Sequence, residues 1–317
     1  MLRIYWFKYL FFLLLGKILI QCQNPSTVLE RALETPIPEI QEILENKQKH
    51  EIQILLTQVE RTHSGAIKFQ ESAFQVDENQ YFYPASTAKL PVAVLALQKL
   101  KTLQAEGVQI NGETPFLIKN KNGETIIEKD STHHEGKVTL HHLIKKIFLV
   151  SDNDAYNYLF DFLGRDYINE ELKKRGLSNT QLHHKFLFGA DNETTWHYTF
   201  LNAEQDTLYH QPSFRAKLKL EPHSLKGIQK GVGYLSAGAL AKEPMDFSEK
   251  NRLSIRDLQG ILQRIIFPEH FSKEEQFEIS EEDYSFLKDW MSRTTLESTS
   301  PNYNDGAHWD SYGKFLI

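Results

Sequence analysis

Hydrophobic and polar positions follow two rhythms along this chain, and each predicts its own kind of element. Alternating residues in EIQILLTQVE (51–60) and SGAIKFQ (64–70) flank a polar RTHSG turn, which predicts a β-hairpin. A second small hairpin is predicted within NGETPFLIKNKNGETIIEKD (111–130), where two Asn-Gly pairs punctuate short alternating runs. The segment YFYPASTAKLPVAVLALQKLKTLQ reads as an extended approach followed by a helix. Pro84 stands just before the helix start and Pro91 within its first two turns, where a missing N–H costs least. From Thr139 the period becomes helical through Leu140, Leu143, Ile144, Ile147 and Phe148. That helix breaks at SDND (151–154), and another runs through AYNYLFDFLG to end near Gly164. RLSIRDLQGILQRII (252–266) is amphipathic with Ser254 as its N-cap, and EEDYSFLKDWM (281–291) is a further helix.

Residues 23–50 read as a leader and a first helix, whereas 165–250 show no clear rhythm beyond aromatic and His-rich loops. Strands near the start and helices in the middle predict an α/β (α+β) arrangement rather than alternating βαβ units.

Composition changes the picture in two ways. The chain has 317 residues, 36 Lys+Arg against 42 Asp+Glu and a net charge of −6, so no basic stripe offers itself to nucleic-acid phosphates. The first 22 residues, MLRIYWFKYLFFLLLGKILIQC, carry Arg3 and Lys8 ahead of the apolar stretch Tyr9 to Leu15, the layout of an export signal. Export to the periplasm or cell envelope follows from that layout. The only cysteine, Cys22, lies three positions after Leu19 and resembles the acylated cysteine of a bacterial lipoprotein signal, although Gln21 departs from that pattern. Lipidation at Cys22, cleavage of an ordinary signal and an uncleaved membrane anchor all remain open. The mature chain has no cysteine pair for a disulfide, so its core must carry its stability. A single domain over residues 23–317 is expected.

The chemistry concentrates at Ser86-Thr87-Ala88-Lys89. A serine hydroxyl is a weak nucleophile until a neighbouring base takes its proton. At i and i+3 on one helix face, Lys89 is near enough to be that base, and burial beside Pro91 and Val92 would depress its pKa. Placing Ser86 at a helix start also aims backbone N–H groups at a developing oxyanion. An isolated S-x-x-K says little, since Ser311 to Lys314 repeats it with no helix following. Ser151-Asp152-Asn153 adds a second element between two helices. There a serine can relay a proton and a carboxamide can bind an amide or a lysine; all three types also favour helix caps.

With their flanks, YPASTAKLPVAVLAL and KVTLHHLIKKIFLVSDNDAYNYLFDFLG resemble the S-x-x-K and S-D-N segments of the class A β-lactamase and penicillin-binding protein family. NRLSIRDLQGILQRI and Trp290-Met291 match in order, so the resemblance runs from about residue 50 to 291. It implies a β-lactamase/transpeptidase-like fold, an antiparallel sheet flanked by helices, and an exported serine acyl-transfer enzyme acting on a β-lactam or a peptidoglycan peptide without a cofactor or metal. Ser86 would be the acylated nucleophile and Lys89 its proton acceptor. Ser151 would relay the proton, and Asn153 would contact the substrate amide and Lys89.

Two departures from the family pattern accompany the resemblance. An ungapped alignment through Leu182 puts Phe186 where class A enzymes carry the deacylating glutamate; Asp191 and Glu193 follow a few residues later. That weakens β-lactamase relative to D,D-peptidase or esterase. Only 26 residues follow Met291, without the family's K-T-G strand, and Lys230-Gly231-Val232 lies too early to supply it. The expectation is a C-terminally incomplete chain, with a catalytically inactive envelope binding protein as the rival from another class. The pairs His133-His134, His141-His142 and His183-His184 lack a metal-binding spacing and read as surface or loop residues. Trp196, Tyr198 and Phe200 belong either to the core or to a pocket wall. Oligomeric state is not legible.

Overall fold

A computed structural model describes residues 26–236, 238–304 and 306–313. The N-terminal apolar segment, Cys22 and Lys314 lie outside these described residues. The chain divides into two compact units, Met1–Val76 and Asp77–Ile317, taken here in turn.

In the first unit, the single helix expected before residue 50 is two short ones, α1 (Val28–Leu33) and α2 (Pro38–Glu45). The cause is the proline pair: Pro36 cannot continue α1, and Pro38 takes the first position of α2, where no N–H is required. Thr27 and Glu30 cap α1 reciprocally, satisfying two donors that the helix itself leaves unpaired. The predicted hairpin forms from β1 (Ile54–Arg61) and β2 (Ile67–Phe74), in antiparallel register from Ile54 opposite Phe74 to Arg61 opposite Ile67. Its turn closes through the Ala66 carbonyl accepting from the Thr62 N–H, with Gly65 at φ 83, a conformation that glycine adopts without a Cβ clash.

The second unit is built around α3 (Lys89–Ala105), which a 3-10 turn at Ala85–Ala88 introduces. Val92 through Leu97 are all fully buried, so this helix has no solvent face along its first half. Each of the larger of these side chains contributes about 1.5–3 kcal/mol relative to exposure. The second predicted hairpin is β3 (Phe116–Lys119) and β4 (Thr125–Ile127). Then come α4 (Leu140–Val150), α5 (Asn153–Leu163) and α6 (Arg165–Lys174). Thr139 caps α4 by accepting from the His142 N–H, and Leu140, Leu143, Ile144 and Ile147 are buried as their spacing predicts.

Gly164 alone separates α5 from α6. Its φ of 79 and the Phe214 ring, 2.6 Å from where a Cβ would sit, both exclude a larger residue.

The stretch without a legible rhythm supplies β5 (His197–Leu201) and β6 (Thr207–Gln211), which complete an antiparallel sheet ordered β4-β3-β5-β6. Tyr198 and Phe200 are fully buried there against Phe116 and Phe162, so these two aromatics belong to the core. Short ribbons pair Thr180–Gln181 with Arg252–Leu253, and Gln229–Lys230 with Met245–Asp246. Two amphipathic helices follow, α7 (Ile255–Ile266), capped by Ser254, and α8 (Glu281–Ser292), capped by Ser280. The fold is therefore mixed α/β with antiparallel pairing throughout its named strands, as the sequence predicts.

Candidate active site

Ser86 sits in the 3-10 turn ahead of α3 and is exposed, whereas Lys89, the first residue of the α-helix, is 2% exposed. One turn of chain thus places a hydroxyl at the surface and an amine beneath it. The Lys89 Nζ lies 3.2 Å from Ser86 Oγ. Ala85, immediately before the serine, is held at φ 44, a left-handed backbone that a residue with a Cβ adopts only under local constraint.

The second predicted segment arrives from the other side. Ser151 ends α4 in the left-handed region, at φ 55 and ψ 42, and Asp152 caps α5 by accepting from the Ala155 N–H at 2.8 Å. The reversal turns both Ser151 and Asn153 onto Lys89. Nζ lies 2.5 Å from the Ser151 carbonyl oxygen, 2.9 Å from Ser151 Oγ and 2.7 Å from Asn153 Oδ1. All four predicted residues are therefore brought together around one nitrogen.

A proton count shows what this arrangement can do. A neutral amine has two N–H donors and one lone pair. The Ser151 carbonyl and Asn153 Oδ1 accept only, so they take the two donors, and the lone pair is left to the two hydroxyls. Burial pushes the Lys89 ammonium down to about 8, against the opposing pull of the Asp152 carboxylate. An appreciable neutral fraction is then present near physiological pH.

Phe186 also belongs to this neighbourhood, with its ring centroid 5.4 Å from Lys89 Nζ. It stacks on Tyr156 at 4.5 Å, and its N–H donates to Asn157 Oδ1 at 2.7 Å. Asp191 and Glu193 lie elsewhere. Asp191 accepts from the N–H groups of Glu193 and Thr194, and Glu193 pairs with Arg165 and Arg215; both line a separate cavity. Lys230 donates to the Tyr81 carbonyl at 3.3 Å and is not among the residues lining the Ser86 cleft.

That cleft has a volume of about 850 Å³. Ser86, Lys89, Ser151 and Asn153 form its polar side, and Phe148, Leu258, Leu262, Met291 and Trp309 form much of the remainder. The apolar side was not predicted. Its residues come from three separate helices and from Trp309 near the C-terminus, and only the Leu258–Leu262 spacing on α7 hints that they share a face. The histidine pairs serve other contacts: His133 stacks on His134 at 4.5 Å, His141 lies between Glu113 and Phe286, and His183 meets His223 edge-on.

The site is thus a Ser-Lys-Ser constellation on a mixed α/β frame. The chain belongs to the beta-lactamase enzyme family, whose family model matches residues 36–307. Among solved structures it is similar to a beta lactamase from Xanthomonas campestris pv. campestris, at 15% identity and a TM-score of 0.39, over 79% of this chain and 68% of that one. It is also similar to a class A beta-lactamase from Mycobacterium abscessus, at 16% identity and a TM-score of 0.38, over 80% and 70% of the respective chains. No curated protein matches the sequence.

Proposed function

We propose that this chain is an exported serine hydrolase that opens β-lactam amides through an acyl-enzyme on Ser86. The observation that carries the reading is the position of Lys89 Nζ, within hydrogen-bond reach of both the Ser86 and Ser151 hydroxyls. Ser86 Oγ attacks the carbonyl carbon while its proton passes to the Lys89 lone pair. The C–N bond then breaks: Ser151 gives its proton to the leaving nitrogen and recovers one from the Lys89 ammonium. Lys89 ends neutral, ready to deprotonate the water that releases the acyl group. Export rests on Arg3, Lys8 and the apolar run before Cys22.

Phe186 favours a second reading within the same chemistry, a D,D-peptidase or esterase that releases a β-lactam acyl group slowly. An aromatic ring stands beside Lys89 and brings no proton acceptor for a hydrolytic water. Steady-state nitrocefin hydrolysis, combined with intact-mass measurement after exposure to a fluorescent penicillin, tests both readings. Rapid multiple turnover supports the lactamase. A stoichiometric burst with a lasting adduct on Ser86 supports the slow-release enzyme, and absence of both turnover and any adduct overturns both.

A further inference from the structure

Behind the Ser151 turn lies a charge cluster of which only the field of Asp152 on Lys89 has entered the chemistry above. Lys146, on α4, reaches Asp130 Oδ2 at 2.8 Å and Asp152 Oδ2 at 3.2 Å. Its side chain is 13% exposed and that of Asp130 is 6% exposed, so the bridge is largely shielded from solvent. Asp130 is itself anchored. Its Oδ1 accepts from the Thr132 N–H at 2.9 Å and the Thr132 hydroxyl at 2.7 Å, while Oδ2 lies 3.5 Å from His142 Nε2.

The fully buried His142 ring also meets the Thr132 hydroxyl at 3.0 Å. Asp152 is anchored from the other direction, because its Oδ1 caps α5. Two carboxylates are thus fixed independently, one in the loop before α4 and one at the head of α5. Lys146 is the cation between them.

We infer that Lys146 is a positioning residue, whose ammonium clamps Asp152 to the Asp130 loop and so holds the left-handed Ser151 turn against Lys89. This inference concerns the site assigned above and rests on that reading for its catalytic consequence. The turn needs such a clamp because Ser151 is a residue with a Cβ at positive φ, a conformation that persists only when its surroundings impose it. Its recovery of an extended or right-handed backbone would swing the carbonyl, the hydroxyl and Asn153 away from Lys89 together. A displacement of about 1 Å in such an array costs about 100-fold in rate.

Lys146→Met alone would leave two carboxylates facing each other with no cation between them, so it confounds positioning with charge burial. The test therefore uses Lys146→Met/Asp130→Asn, which removes the surplus charge as well, alongside Lys146→Arg, which keeps the clamp. Two readouts are taken on the full chain: amide hydrogen exchange across residues 151–155, and the rate of Ser86 adduct formation with a fluorescent penicillin. The expected result for the double variant is exchange at least about tenfold faster at Ala155, with acylation slowed about 100-fold. In Lys146→Arg, both return to near wild type.

Unchanged exchange at 151–155 in the double variant overturns the clamp. Faster exchange with unchanged acylation confines the bridge to a structural role and overturns the positioning assignment. If the wild-type chain neither turns over nitrocefin nor forms an adduct, the serine-enzyme reading fails, and the exchange data alone decide whether Lys146 holds the turn.

Discussion

Lys89 and Ser151 meet twice, with Nζ 2.5 Å from the serine carbonyl oxygen and 2.9 Å from its hydroxyl oxygen. The carbonyl contact fixes where the amine hydrogens point, and the hydroxyl contact gives the lone pair a second proton-transfer partner besides Ser86. One residue therefore meets the amine through both its backbone and its side chain, and in the proposed mechanism it also takes the proton onward. The expected outcome for Ser86→Ala is loss of any penicillin adduct, and for Lys89→Ala adduct formation slowed by about 1000-fold or more. Intact-mass spectrometry over time measures both. An adduct that survives in Ser86→Ala refutes the nucleophile.

The pH dependence follows from the state of Lys89. The amine acts as a base only when neutral, and burial lowers its pKa to about 8. Acylation should then rise with pH, half-maximal near 8, and level off above it. A stopped-flow pH profile of adduct formation checks this. A rate already flat between pH 6 and pH 9 would contradict Lys89 as the base. The same shift acts on stability with a definite sign. The folded pKa lies below the ordinary lysine value, so the unfolded chain binds more protons between about 8 and that value, and stability from this group rises with pH across the window.

Ser151 allows its backbone and side chain to be tested separately. At φ 55 it carries a Cβ in the left-handed region, which costs about 1–2 kcal/mol relative to glycine. Ser151→Gly and Ser151→Ala both delete the hydroxyl, but only the glycine relieves the backbone. Both should slow turnover strongly, and the glycine variant should be more stable than the alanine by about 1 kcal/mol. Urea midpoints at equal m-value measure the difference. Equal midpoints would show that the turn is not strained.

Much of this site is legible in the sequence because its parts are local. Ser86 and Lys89 share one turn, Ser151 to Asn153 share another, and the apolar period of the neighbouring helices places both turns at helix ends. What the sequence hides is long-range and aromatic. β5 alternates, with Tyr198 and Phe200 buried between partly buried neighbours, but five residues do not stand out from the aromatic and His-rich segments around them, and β6 buries only Gln211. The link from Lys146 to Asp130 joins a helix to a loop 16 positions earlier, with no periodic signal to announce it. Phe186 is found by alignment with a family pattern, but its proximity to Lys89 depends on a loop whose ties, Asn157 to Phe186 and Asp161 to Lys185, cross from another helix.

Phe186 exerts two opposing effects on Lys89. Its ring face at 5.4 Å favours the ammonium by about 0.5–1 kcal/mol, while its bulk excludes water and disfavours the charge. Burial as a whole lowers the Lys89 pKa, and Phe186 is part of what covers the amine, so the shielding is expected to be the larger effect. Phe186→Ala should accordingly raise the pKa governing acylation towards the ordinary lysine value and slow the reaction at neutral pH. The pH profile of adduct formation in the variant checks this, and a midpoint that moves down would make the ring's attraction the larger effect.

The loop that carries Phe186 depends on a buried ion pair. Lys185 Nζ meets Asp161 Oδ2 at 2.7 Å, with side chains 2% and 1% exposed, and stands 4.4 Å from the Trp196 ring centroid. Asp161 Oδ1 also accepts from the Trp196 N–H at 2.6 Å, so one carboxylate ties both ends of the loop to α5. Removing the cation leaves that carboxylate buried and uncompensated, at a cost of about 3–5 kcal/mol. Lys185→Met should therefore lower stability by that amount at pH 7. Burial already pushes the Asp161 carboxyl up, and without Lys185 it would rise further. The variant's deficit should then shrink as pH falls and Asp161 takes up a proton in the folded state. Lys185→Met/Asp161→Asn should recover much of the loss at pH 7, because no buried charge remains. Denaturant titrations at pH 7 and pH 5 for both variants measure this, and a Lys185→Met deficit that is the same at both pH values would refute the uncompensated carboxylate as its cause.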